Sequence, residues 1–212
     1  MSRFSLISGV IICVLVLSLS SCSDTDSDAT APYAGKGVSL FNGTNLDGWT
    51  VSKCKVVVDN GEILLVEGNG LVQSAKMYGN FILDFDWKPL AADKWDSGIY
   101  FRYDAVPEGK AWPKRYQVNL KKGEEGNMPL KGARSTGLFM PGKWNRFKIT
   151  VDGINVSVDI NGKPAWKAKG LAGPTTGYIA IQSEVPQGGQ HRFKNIYITE
   201  LEKTAEAPEA TD

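Results

Sequence analysis

The sequence is short of the groups on which most metal and nucleophile chemistry depends. It has one histidine, His191, and three cysteines, Cys13, Cys22 and Cys54. With a single His and neither an HxH nor an HExxH spacing, a His-rich catalytic zinc site is excluded, whereas an oxygen-ligated divalent cation stays open. A GxSxG elbow and a Gly-rich loop opening a helix are also missing, which removes a hydrolase-type serine and a phosphate cradle. No cofactor is expected. Charge of one sign is absent too: 24 Lys+Arg stand against 23 Asp+Glu, with no basic stripe, so nucleic acid is not an expected partner. Amphipathic helical periodicity is lacking throughout, which excludes a helical bundle.

The one long apolar run, from Phe4 to Leu19, follows Arg3 and ends in "LSSC" at Cys22. The polar, acidic "SDTDSDATAP" after it carries no Lys or Arg, so the run reads as an export signal rather than a spanning helix. "LSSC" resembles a bacterial lipobox, which implies lipidation of Cys22 and attachment to a bacterial membrane, on the periplasmic or cell-surface side. Asp24, Asp26 and Asp28 then belong to an acidic linker. The expected division is a leader over 1–21, the linker over 22–36, a domain over 37–202 and a tail over 203–212. With Cys13 in the leader and Cys22 lipidated, Cys54 has no partner for an intramolecular disulfide. The core alone must hold the domain together, and about 165 residues suffice for that.

Past the linker, short β-branched and aromatic runs alternate with Gly, Asn, Asp and Pro clusters. Strands are expected over 38–41, 55–59, 62–66, 81–88, 97–103, 115–121, 146–152, 155–160, 177–183 and 194–201. Asn60-Gly61, Asp152-Gly153 and Asn161-Gly162 suit two-residue hairpin turns, and a meander runs from Trp144 to Trp166. So many short strands, each with one apolar face, predict an all-β sandwich of two antiparallel sheets.

Alternation also assigns the polar faces. "FILDFDWK" turns Asp84 and Asp86 away from Phe81, Leu83, Phe85 and Trp87. "SGIYFRY" turns out Tyr100 and Arg102, "RYQVNL" turns out Arg115, Gln117 and Asn119, and "GYIAIQS" turns out Tyr178 and Gln182. Solvated sandwich faces alternate in the same way. The residue types differ from the usual Lys, Glu and Thr, because Asp, Arg, Gln, Asn and Tyr form the planar donor and acceptor sets that suit sugar hydroxyls. Trp95 and Trp112 could stack on a pyranose ring or fill the core. His191, beside Arg192, could serve as an acid or base or stand as a surface residue.

"SLFNGTNLDGW", "DSGIYFR", "PGKWNRFKITVDG…INGKPAW" and "GYIAIQSE…RFKNIYITEL" follow one another in the order of the 3-keto-disaccharide hydrolase domain family, which this chain resembles from Val38 to Leu201. The resemblance implies a concanavalin A-like jelly roll and cleavage of 3-keto-glycosides, or hydration of the 3-keto-2-hydroxy-glucal they yield. A ketone at C3 acidifies the C2 hydrogen, so one base, one donor to the ketone oxygen and one acid for the leaving group suffice. Asp86 matches an acidic strand position of the family and is the expected base. Arg102, in "SGIYFR", would stabilise the oxyanion, and His191 or Glu184 would protonate the leaving oxygen. Gln117 stands where many members place Glu, and an amide is no base, so a noncatalytic carbohydrate-binding lipoprotein is the alternative. A surface interaction module is a third reading.

Overall fold

Turn residues with positive φ decide where the chain doubles back, and between them the apolar alternation builds strands. The computed structural model describes residues 37–135 and 137–202. The leader, Cys22, the acidic linker and the tail lie outside the described residues.

The described strands are Val38–Ser39 (β1), Trp49–Ser52 (β2), Lys55–Asp59 (β3), Glu62–Ser74 (β4), Phe81–Pro89 (β5), Gly98–Tyr103 (β6) and Gln117–Asn119 (β7). They continue with Asn145–Asp152 (β8), Asn155–Ile160 (β9), Lys163–Ala168 (β10), Tyr178–Val185 (β11) and His191–Glu200 (β12). One antiparallel layer, the first sheet, runs β10-β9-β8-β5-β12 into the first half of β4, with β3 on β4 and β1 on β12. The second half of β4 lies in the second sheet, between β2 and β11, and that sheet continues through β6 to β7. The all-β sandwich is therefore what forms.

Asn60 and Gly61, and Asn161 and Gly162, take the positive φ that their hairpins require. At the β8–β9 turn Asp152 pairs with Asn155, so Gly153 and Ile154 form the loop and Gly153 has the positive φ. Alternation alone gives β4 only over 62–66. The strand instead continues past Val66 and crosses from one sheet to the other there: Gly68 has φ +94°, and a Cβ on Gly70 would lie 1.9 Å from the Ser52 carbonyl oxygen. Glycine lets β2 pass against β4 at the crossing.

The core lies between the layers. Phe81, Phe85 and Trp87 of β5 and Phe147 of β8 are fully buried against Phe101, Ile99 and Val118 of the second sheet. Phe85 stacks on Phe147 at 5.4 Å between centroids, and Phe81 meets Phe101 edge-on across the layers at 6.2 Å. Truncating such a ring costs about 3–5 kcal/mol. Among the described residues, no helix is long and apolar enough to cross a membrane.

Candidate functional site

Strand register brings the polar positions of the second sheet into one field on its outer face. Tyr100 of β6 pairs with Gln117 of β7 and with Ala180 of β11, and Gly98 pairs with Asn119. On the far side of β11, Gln182 pairs with Leu71 and Glu184 with Asn69 of β4. Continuing the β6–β11 register sets Asp96 beside Glu184.

Gly98 leaves a gap in this field, and Gln117 leans into it: a Cβ on Gly98 would lie 2.3 Å from Gln117 Nε2. From there Gln117 Nε2 donates to Gln182 Oε1, and Gln182 Nε2 donates to Glu184 Oε2 at 3.1 Å. Asn119 Nδ2 donates to Glu124 Oε2 at 3.0 Å. Gln117, Gln182 and Glu184 thus form one hydrogen-bonded row, with the Asn119–Glu124 pair further along β7.

The electrostatics of the row centre on Asp96. Burial, and secondarily the Glu184 carboxylate, push its pKa from 3.8 up to about 6, against the pull of Lys121 Nζ at 3.8 Å. Burial, followed by Asp96 and Glu184, raises the Tyr100 hydroxyl to about 12, so at neutral pH it is a donor. Beside it, Leu71, Tyr103 and Ala180 form a small apolar cluster covered by Val106 and Trp112 from the loop after β6. Trp112 Nε1 donates to the Ser183 carbonyl at 3.3 Å, and Lys53 Nζ fastens the loop to Lys110 O at 2.8 Å. Trp112 therefore walls one side of the field.

Of the residues singled out by the sequence, Tyr100, Gln117, Asn119, Gln182 and Glu184 meet on this face, with Trp112 at its edge. Tyr178 packs on the Tyr103 side of the apolar cluster, and the remaining residues lie elsewhere. Asp86 belongs to β5, on the outer face of the first sheet, fully buried with Asn195 Nδ2 at 2.7 Å and Arg146 Nε at 3.9 Å. It is a correction to its assignment as base that the whole sandwich separates it from Gln117.

Arg102 departs from the alternation of its strand because it has φ +52° and the β6–β11 register shifts beside it. Its guanidinium donates to the Gly153 carbonyl at 2.6 Å and to Asn80 Oδ1 at 3.0 Å, which makes it a clamp and not an oxyanion donor. Tyr103 takes the outer face in its place.

His191 lies inside the sandwich with no exposed surface, stacked on Trp87. Burial lowers its pKa from 6.5 to about 4, so it is neutral there and is not an exposed acid. Trp95 is core, with Nε1 donating to Glu125 Oε1 at 3.1 Å and Phe139 packed against it. Arg115 is exposed, with Nη1 donating to Ala172 O at 3.3 Å, and it lines a small cavity with Lys114 and Pro174 beyond the end of β7.

Asp96 was missed, although the signal was present. It opens "DSGIYFR" and shares the parity of Gly98 and Tyr100, so the alternation that turned Tyr100 outward turns Asp96 outward as well. A cavity of about 430 Å³ lies on the first sheet between Thr150, Ser157 and Lys167, and none of the expected residues lines it. Among the described residues, no group of three His, Cys, Asp or Glu is placed to hold a metal ion.

The 3-keto-alpha-glucoside-1,2-lyase-like domain matches residues 36–199. A search of curated proteins found no match. Among solved structures, the chain is similar to a candidate glycosyl hydrolase from Parabacteroides distasonis, with 22% identity, a TM-score of 0.62 and coverage of 78% of this chain and 94% of that one. It is also similar to the carbohydrate-binding module CBM66 from Bacillus subtilis, at 13% identity and a TM-score of 0.55, covering 72% and 96%. The VIP36 exoplasmic/lumenal domain, solved with Ca2+ and Man3GlcNAc, follows at 10% identity and 0.60, covering 79% and 89%. These likenesses establish a lectin-like jelly-roll fold.

Proposed function

The chain belongs to the 3-keto-alpha-glucoside-1,2-lyase-like family, and from that premise we propose that it binds a 3-keto-glycoside on the outer face of the second sheet and cleaves it by elimination. One observation carries this reading: the row Gln117–Gln182–Glu184 ends beside Asp96, whose carboxyl is held at about 6. A base with a pKa near the working pH is what proton abstraction beside a ketone needs.

Asp96 removes the C2 proton. The C2–H electron pair moves toward the C3 ketone, whose oxygen receives hydrogen bonds from the Tyr100 hydroxyl and the Gln117 amide. The pair then forms the C1=C2 bond as the C1–O bond breaks, leaving a 3-keto-2-hydroxy-glucal. Asp96, whose ionisation burial and then the Glu184 carboxylate oppose, returns the proton to the departing oxygen. Trp112 packs against the sugar from the side. Glucal hydration runs the same proton transfers with water at C1.

The full chain, given 3-keto-glucosides with several aglycones, is expected to release aglycone and glucal, with an acid limb near pH 6. Binding without release under all conditions would overturn the elimination. It would favour the alternative of a noncatalytic carbohydrate binder, which the amide at Gln117 supports. Export and anchoring through Cys22 complete the proposal: labelled palmitate should enter the chain and be lost in Cys22→Ser, and labelling that persists would refute that anchor.

A further inference from the structure

The only histidine of the sequence sits behind the candidate site and touches nothing on its surface. Trp87 Nε1 donates to His191 Nδ1 at 3.1 Å. A pyrrole-type nitrogen such as Trp Nε1 can only donate, so Nδ1 must be the acceptor and the proton of the neutral ring resides on Nε2. His191 Nε2 lies 3.0 Å from the Gly188 carbonyl oxygen, to which it donates. The same oxygen accepts the Asp96 backbone N–H at 2.8 Å, and the Gly188 N–H donates to the Glu184 carbonyl. Hydrogen bonds therefore run from the tryptophan of β5, through the imidazole and one glycine, to the backbones of both carboxylate residues.

The turn bearing Gly188 has little room to shift. A Cβ on Gly188 would lie 2.4 Å from the Asp96 carbonyl oxygen and 2.8 Å from that of Glu184, so the three backbones are in close contact. We infer that His191, as a neutral Nε2–H imidazole, is a positioning residue that fixes the Gly188 carbonyl and through it holds Asp96 and Glu184 at the separation their chemistry requires. The inference rests on the proposed placement of Asp96 and Glu184 in the site. His191 is surrounded by uncharged groups: Trp87 on β5, and the backbones of Gly188 and Asp96, with no charged side chain among the influences on its ionisation. Protonation would put a second donor at Nδ1 against the Trp87 N–H and break the chain at that end.

The test is His191→Phe, which keeps an aromatic ring but removes both nitrogens, beside His191→Gln, whose amide can still donate toward Gly188. Two readouts are needed: the carboxyl titration of Asp96 by 13C NMR, and kcat and KM for aglycone release from a 3-keto-glucoside. In His191→Phe the Asp96 midpoint is expected to move down from about 6 by about one pH unit, because a loosened turn admits water. The expected kcat is lower by about tenfold with KM within twofold, and His191→Gln should restore most of both. An unmoved Asp96 midpoint in folded His191→Phe overturns the proposal whatever the activity. A moved midpoint in a protein without turnover supports the positioning and leaves the elimination reading to fail by itself. If His191→Phe does not fold, Trp87→Phe, which removes the donor to Nδ1 together with part of the buried indole, is expected to move the same midpoint in the same direction by a smaller amount; no movement there overturns the proposal as well.

Discussion

The two outer faces of the sandwich are built from the same alternation, yet they distribute charge differently. On the first sheet carboxylates lie among cations: Asp86 meets Asn195 and Arg146, and Asp159 meets Lys148 at 3.8 Å. Lys194 lies 4.3 Å above the Trp144 ring, and Asp84 feels both Arg146 and Lys148. On the second sheet, Asp96 and Glu184 repel each other, and Lys121 lies 3.8 Å from Asp96 and 3.6 Å from Glu124. Carboxylates set among several cations mark a face that holds strands together, whereas two carboxylates side by side, with one lysine shared between Asp96 and Glu124 and an aromatic wall nearby, mark a face arranged to act on something else.

The largest effect that could break this comparison is kinetic. Asp96→Asn is expected to lower kcat/KM on a 3-keto-glucoside by about 10²–10⁴-fold, the usual worth of a general base, without loss of folding. Asp86→Asn should do the reverse, leaving kcat/KM within about threefold but costing roughly 1–3 kcal/mol in urea unfolding, because a buried hydrogen-bonded carboxylate is lost. A steep loss of turnover in folded Asp86→Asn would return the site to the first sheet.

Much of this was legible in the sequence, for reasons visible at particular residues. Strict period two over "FILDFDWK", "NVSVDI" and "RYQVNL" settled which side chains face inward, since the irregularities beside the first two fall on their partner strands. Gln117, Asn119, Tyr100 and Gln182 were therefore oriented correctly. Where the backbone leaves the period, the reading failed: the bulge at Arg102 turned a presumed site residue into a clamp and brought Tyr103 out. The crossing at Gly68 hid half of β4 and all of β2. Which sheet a strand joins is set by long-range pairing, so alternation could place Asp86 and Gln117 outward but could not tell that they face away from each other. His191 was misread because a histidine between Gln190 and Arg192 looks exposed until β12 is known to begin there.

Two glycines sharpen the contrast between fold and site. Gly70→Ala sets a Cβ 1.9 Å from the backbone of β2, which cannot retreat without unpairing the strand, so a loss of several kcal/mol is expected, in the range of severe overpacking. Gly98→Ala meets the Gln117 side chain instead, at 2.3 Å, and that amide can swing aside. Its expected cost is below about 1 kcal/mol in stability, with affinity for the keto-sugar weaker by about tenfold as the bond from Gln117 to Gln182 is lost. Equal destabilisation by both alanines would show that the amide row is part of the scaffold.

The smallest effect concerns pH, where Asp96 and His191 pull in opposite directions. Asp96 has its folded pKa raised from 3.8 to about 6, so the folded chain holds the proton more tightly than the unfolded one, and stability falls as pH rises through that interval. His191 has its folded pKa lowered from 6.5 to about 4, so stability falls as pH drops through that interval, by up to about 3 kcal/mol. Between pH 4 and 6 the two oppose each other, and the urea midpoint of the wild-type chain should rise only weakly with pH, since the partly exposed Asp96 offsets part of the His191 contribution. Asp96→Asn removes one side of the balance. At pH 8 it should stabilise the fold by about 1–2 kcal/mol, a figure discounted for the quarter of the Asp96 side chain that solvent reaches. At pH 4 it should change little, so the variant's stability climbs with pH more steeply than the wild type's. A variant curve parallel to the wild type's would mean that Asp96 ionises as freely in the folded chain as in the unfolded one, and the second face would then lose its distinction from the first.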